Sequence, residues 1–240
     1  MATRCAYAAR EIGNLSDNPL FEEKVFAFDW SPGMSRVVKE ARIRALHESI
    51  RAEYPTARIL EVSTKSSSPL GVGLSAFNLR LPPAFGGGIL ESTYQSAKVY
   101  QNRQGDLFTQ EGLAALAPAL AKKGNSLHSD LTLAFFDFNG NQWPANPGSL
   151  FYDFLFWVAI WEQPNSVSQL GEFDFFTDIE FNKSALGFQE GKSFNSQAKS
   201  CALVKTLFPL WPSDWTGKDA EVWFLQRSEV DAEPRDSFLF

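Results

Sequence analysis

The chain predicts an α+β domain, mostly helical with a few short strands, followed by an irregular C-terminal tail. Three observations carry that prediction. Helical patterns at 33–54, 91–98, 149–161 and 192–208 are longer than the strand-like runs at 25–30, 59–63 and 132–138. A content of 44% hydrophobic and 14% aromatic residues over 240 positions is enough for one sizeable core. Beyond Pro209 both periodicities stop, so residues 1–208 are expected to form the domain and 209–240 a tryptophan-rich extension.

Element by element, residues 25–30 alternate apolar positions and run into Asp29-Trp30-Ser31-Pro32-Gly33, a strand followed by a helix-starting turn. Val38, Ala41, Ala45, Leu46 and Ile50 then supply one helical face, which Pro55 closes. Residues 59–63 form a short buried strand leading into a hydroxyl-rich loop with Lys65, and 70–81 have strand or strand-edge character. A glycine lead-in, Gly86-Gly87-Gly88, precedes a helix at 91–98. Residues 106–123 are helical in composition, split by Gly112 and Pro118. A strand at 132–138 ends in the turn Asn139-Gly140-Asn141, and 149–161 has the aromatic density of a helix buried nearly all round. A strand at 173–182 and a helix at 192–208 complete the domain.

Composition excludes several classes of chemistry. Only Cys5 and Cys201, with His47 and His128, are present, which argues against a disulfide scaffold, a zinc site or another transition-metal centre. Both histidines are expected to be packing or surface residues. Catalysis therefore rests on carboxylates, amides and lysines, with no cofactor implied. A net charge of −6 is unlike a protein that holds nucleic acid by broad phosphate neutralisation, so any nucleic acid is gripped locally. The longest apolar stretch, about 12 residues and interrupted by Asp153, falls short of the roughly 20 that span a bilayer. Arg4, Arg10 and Glu11 break any secretory core at the start, so a cytoplasmic location without membrane attachment is expected.

The main candidate for chemistry is Glu91-Ser92-Thr93-Tyr94-Gln95-Ser96-Ala97-Lys98. On a helix, Glu91, Gln95 and Lys98 fall within roughly 60° of one another, with Glu91 and Lys98 about 10.5 Å apart along the axis. That is too far for an ordinary surface ion pair, and suits either two ends of one ligand or a solvated face; Tyr94 weighs against the latter. In Leu74-Ser75-Ala76-Phe77-Asn78-Leu79 an aromatic ring and an amide alternate sides, suiting a stacked ring and its edge, or a core phenylalanine beside a turn asparagine. Alternation from 176 to 182 puts Asp178, Glu180 and Asn182 on one strand face, which suits either a site or the solvated side of a sheet. Asp153 within apolar surroundings requires a partner, in a site or in a structural network. Lys65 resembles a phosphate-gripping lysine only loosely, without the glycine frame of a P-loop.

Taken in order, Ser75-Ala76-Phe77-Asn78 and Glu91-x-x-x-Gln95-x-x-Lys98 resemble the NADAR, or YbiA-like, domain. The likeness is stronger to the NADAR antitoxins encoded beside DarT-type DNA ADP-ribosyltransferase toxins. Those carry a pattern similar to Leu60-Glu61-Val62-Ser63-x-Lys65-Ser66, then 74–79, 91–99, Phe151-Tyr152-Asp153, 176–182 and Lys192-Ser193-Phe194-Asn195-Ser196-Gln197-Ala198. Phe154 stands where that group usually has tryptophan, and 184–191 resembles an insertion.

The resemblance implies a compact α-rich α+β domain that binds ADP-ribose and cleaves its N-glycosidic bond to guanine in DNA, acting as an antitoxin. It implies Glu91 and Lys98 as catalytic residues, with Lys98 acting either as a charged group or as a nucleophile forming a Schiff base. It also implies Lys65 at the diphosphate, Phe77 and Asn78 at the ring and ribose, Asp153, Asp178 and Asn182 at sugar hydroxyls or water, and Ser75, Tyr94 and Gln95 as further substrate-binding residues. The partners are then ADP-ribosylated guanine or ADP-ribose, and a cognate DarT-type toxin. Alternatives are a glycosidase acting on free nucleotide-derived ribosides, and a non-catalytic antitoxin that binds ADP-ribose or docks on the toxin through its tail.

Overall fold

The computed structural model describes residues 1–110, 115–124, 131–146, 149–161, 163–180 and 196–232. In chain order the first half runs β1 (Ala2–Ala9), β2 (Phe21–Phe28), α1 (Arg36–Glu53), β3 (Ile59–Glu61), α2 (Pro69–Gly73), α3 (Leu90–Ser96), β4 (Lys98–Gln101) and β5 (Leu107–Thr109). The second half runs α4 (Pro118–Gly124), β6 (Thr132–Phe138), β7 (Asn141–Pro144), α5 (Leu150–Trp161), α6 (Pro164–Leu170), β8 (Phe175–Thr177), α7 (Gln197–Leu207) and α8 (Gly217–Ala232). The architecture is α+β, as expected. No helix among the described residues is long and apolar enough to cross a membrane.

The first sheet has the order β2-β1-β8-β3, with β1 antiparallel to both neighbours and β3 parallel to β8. Strand alternation divides its side chains between two cores. Phe26, Phe28, Ile59, Phe175 and Ile179 meet α1 through Ile43, Leu46 and Ile50, while Tyr7, Leu60, Val62 and Phe176 face α5 and α7. Helix α1 is capped by Ser35, whose hydroxyl accepts from the Val38 N–H, and ends at Glu53, two residues before Pro55.

The second sheet, β5-β4-β6-β7, is antiparallel throughout. Asn139 and Gly140 both have positive φ, 52° and 82°, as a two-residue Asn-Gly hairpin requires. Phe136 and Trp143 from this sheet lie against Phe151 and Phe154 of α5, with Trp143 stacked 4.6 Å from Phe154. Helix α5 is buried from Leu150 to Ile160 and joins both halves of the fold.

Several sequence expectations are corrected. Strand β1 was not anticipated, because four of its eight residues are alanine and Thr3 is its one β-branched residue; it forms between β2 and β8, where tertiary pairing overrides weak propensity. Residues 70–81 are not a strand: Pro69 starts α2, and the Asn78 and Leu79 N–H groups both donate to the Ser75 carbonyl in a tight turn. The expected helix at 106–123 holds instead β5 and α4, the latter starting at Pro118. The 173–182 strand ends at Thr177, so Asp178 lies in the connection beyond it. The expected N-terminal part of the 192–208 helix, the 184–191 insertion, Asn182 and His128 lie outside the described residues.

The extension also departs from expectation. Residues 217–232 form α8, which carries Ala220 and Phe224 into the same core as α5, while Trp211 packs 4.3 Å from Trp157. Its helical pattern is faint because charged and apolar residues alternate around it.

Candidate active site

The group around Glu91 is assembled by backbone pairing before any side chain takes part. A helix leaves its first N–H groups without intrahelical partners. In α3 those of Leu90 and Glu91 donate to the carbonyls of Leu79 and Ala76, at 2.9 and 3.0 Å. The chain reverses between these segments through Gly86 and Gly87, both at positive φ, which glycine adopts without strain. The Ser75-to-Asn78 turn and the start of α3 are thereby one unit.

Glu91 is only 6% exposed, and its Oε1 accepts from Gln95 Nε2 at 2.9 Å. A buried carboxylate needs such a donor, and Gln95 one turn on supplies it. Lys98 is 9% exposed but does not belong to the helix: α3 ends at Ser96, and Lys98 opens β4 opposite Phe136. The expected single helical stripe is therefore a helix followed by a strand. The Lys98 amine nevertheless stays beside α3, 4.9 Å from the centre of the Tyr94 ring, in cation–π range. Tyr94 is itself buried, edge-on to Tyr152 at 5.2 Å and tilted on Phe136 at 5.1 Å.

Asp178 joins this group through an amide. The Ala76 N–H donates to Gln197 Oε1 at 2.7 Å, and Gln197 Nε2 donates to Asp178 Oδ2 at 3.2 Å. Because the Ala76 carbonyl also receives the Glu91 N–H, one continuous chain links Asp178, Gln197, Ala76 and Glu91. The two acids thus come from elements far apart in sequence.

Behind Asp178 stands Glu61, 3% exposed, on the α1 side of the sheet. Its two oxygens accept from the residues flanking Asp178, Oε2 from Thr177 Oγ1 at 2.7 Å and Oε1 from the Ile179 N–H at 2.9 Å. Burial, and then the Asp178 charge, push Glu61 up to about 8, against the opposing effect of these bonds. His47 Nε2 lies 2.9 Å from Thr177 Oγ1, and burial with the nearby Arg51 lowers His47 to about 4. Far from being a bystander, His47 ends a His47–Thr177–Glu61 chain. Glu61 and Gln197 stand in the family pattern but were assigned no role from sequence, although an acid between Leu60 and Val62 in a buried strand was a usable signal.

Other candidates are placed differently. Ser75 is buried and its hydroxyl accepts from the Phe77 N–H at 3.4 Å; Phe77 is half-buried. Asn78 is exposed and its amide donates to the Val72 carbonyl at 2.8 Å, finishing α2. Lys65 is half-buried in the loop after β3. Asp153 is paired with Lys199 Nζ at 2.7 Å and accepts from Ser200 Oγ at 2.6 Å. It lines a cavity of about 300 Å³ bounded by Phe21, Phe224 and Arg227. Among the described residues no three His, Cys, Asp or Glu side chains converge as metal ligands.

An acid, an amide and a lysine buried at one helix-to-strand junction, in this motif order, fit the resemblance to the NADAR class. The sequence pattern of the DarT1-associated NADAR antitoxins matches residues 2–210, and the chain belongs to that family. No curated protein matches it.

Proposed function

We propose that the protein is an N-glycosyl hydrolase that removes ADP-ribose from guanine bases of single-stranded DNA. It would thereby act as the antitoxin to a cognate DarT-type DNA ADP-ribosyltransferase. The observation that carries this reading is a buried Glu91, held by Gln95, and a buried Lys98 that rests on Tyr94 of the same helix. Membership of the antitoxin family supports the biological role.

Cleavage breaks the bond from the ribose anomeric carbon to guanine, and positive charge develops at that carbon. A carboxylate fixed beforehand and shielded from water stabilises that charge without reorganising, which is the task assigned to Glu91. Water supplies the hydroxyl that ends on the sugar and the proton that ends on the base. Lys98 acts either as a fixed positive charge on a sugar or phosphate oxygen, or as an amine that traps the ring-opened sugar. Asp178, steadied by Gln197, is assigned to sugar hydroxyls or to the water, together with Asn182 and Asp153. Lys65 is assigned to the diphosphate, and Ser75, Phe77 and Asn78 to the ring and ribose.

In this reading residues 1–208 carry the chemistry and the extension braces α5. A docking role for the tail tryptophans finds less support, because Trp211 is buried against Trp157. The test is product analysis of an oligonucleotide bearing ADP-ribose on guanine, with small ribosides in parallel. Loss of the adduct is expected, slowed at least about a hundredfold by Glu91→Gln or Lys98→Ala. Unchanged turnover in both variants defeats the site assignment.

A further inference from the structure

The cavity of about 300 Å³ beside Asp153 lies apart from the group assigned to ADP-ribose, because neither Glu91, Gln95, Lys98 nor Asp178 lines it. Asp153 reaches it, but its two oxygens are taken by Lys199 and Ser200. One wall is formed by Trp223, Phe224 and Arg227 of α8, beyond the residues 2–210 that match the family. Arg227 fastens that wall by donating to the Leu15 and Asp17 carbonyls at 3.1 and 3.5 Å.

The lining defines what fits. Phe21, Trp223 and Phe224 supply aromatic surface, while Asn18 and Pro19, both exposed, mark the solvent side. The polar group within is Lys199, 8% exposed, its ammonium 2.7 Å from Asp153 Oδ2 and 5.7 Å from the centre of the Phe21 ring. An ammonium carries three N–H donors, and among the described residues only Asp153 takes one. Since Asp153 already balances the charge, an anion would be repelled by that carboxylate, whereas a neutral carbonyl oxygen would not. The volume is at the small end of ligand sites and suits one ring system rather than ADP-ribose.

We propose that this cavity binds a carbonyl-bearing nucleobase, its ring against the aromatic walls and its carbonyl oxygen accepting from the Lys199 ammonium. A free nucleoside and a base presented by single-stranded DNA share that chemistry. Adenine, which has no ring carbonyl, does not. The inference is independent of the ADP-ribose reading.

Calorimetry of the full chain with thymidine and with deoxyadenosine tests it. Thymidine is expected to bind at least about tenfold more tightly, the size of one hydrogen bond to a charged donor. Lys199→Met combined with Asp153→Asn removes donor and counter-charge together and should erase that preference. Ser149→Phe puts a ring into the cavity and should abolish binding; the double variant decides alone should this one fail to fold. Oligothymidylate binding more tightly than thymidine identifies a strand-borne base, and equal affinity a free nucleoside. Absence of thymidine binding, equal affinity for the two nucleosides, or a preference that survives in the double variant overturns the proposal. So does loss of thymidine binding in Glu91→Gln, which places the ligand in the Glu91 group. Failure of the functional reading is separate: ADP-ribosylated guanine would then yield no product while thymidine still bound.

Discussion

Substituting Glu61 by Gln keeps the shape of the side chain and removes its ionisation, and this isolates one term in the pH dependence of stability. Glu61 is raised from 4.5 to about 8, so the folded state keeps a proton that the unfolded state releases. Its contribution is fully present below 4.5 and is lost as pH rises toward 8. His47 is lowered from 6.5 to about 4, so its contribution is present above 6.5 and is lost as pH falls toward 4. Between 4.5 and 6.5 the two slopes oppose each other and roughly cancel. Above 6.5 Glu61 acts alone. At about 1.4 kcal/mol per proton per pH unit, the roughly 1.5 units from 6.5 to 8 cost the wild-type protein about 2 kcal/mol that Glu61→Gln does not lose. Urea unfolding of both proteins at several pH values across that interval measures the difference directly. Parallel profiles would refute the reasoning that burial keeps Glu61 protonated in the folded state above its unfolded range.

Two further substitutions probe how the group is held. A methyl group at Gly71 would lie 2.0 Å from the Glu61 carbonyl oxygen and 2.4 Å from Ser66 Oγ, so Gly71→Ala must displace α2 from β3. A loss of about 3 kcal/mol in denaturant unfolding is expected, and a neutral result would show that α2 is not anchored there. Lys199→Met strands the buried Asp153 with Ser200 alone, at a cost of about 3–5 kcal/mol. Adding Asp153→Asn should recover most of that loss; additive losses would show that the pair is not coupled.

Legibility followed local strength. The β6 limits and the Asn139-Gly140 turn emerge from alternation and turn chemistry alone, and α1 and α5 from long runs bounded by Pro55 and by aromatic density. Elements decided by tertiary pairing were not legible: β1 carries too weak a pattern by itself, and residues 74–79 alternate like a strand yet close on Ser75 as a turn. Within the site, Glu91 and Gln95 share a helical face, as their spacing dictates. Gln197 was invisible as a site residue because its partners, Ala76 and Asp178, lie 121 and 19 positions away. No periodicity encodes a contact of that kind.

The change from helix to strand at Ala97 bears on how the acid and the amine keep their spacing. On a continuous helix that spacing would follow the bending of α3 alone. Here the Ala97 N–H closes the helix on the Thr93 carbonyl at 3.0 Å, and its own carbonyl accepts from the Asp137 N–H at 2.7 Å. Lys98 is then fixed opposite Phe136 by the β4–β6 ladder. Glu91 is tied at the other end to the Ala76 turn. The two side chains are therefore held by separate parts of the fold, α3 by the turn and Lys98 by the second sheet. Residues that the sequence presents as one stripe hold their relative position only while both attachments are intact, which makes the Ala97 junction a determinant of the site's geometry although its side chain is a methyl group.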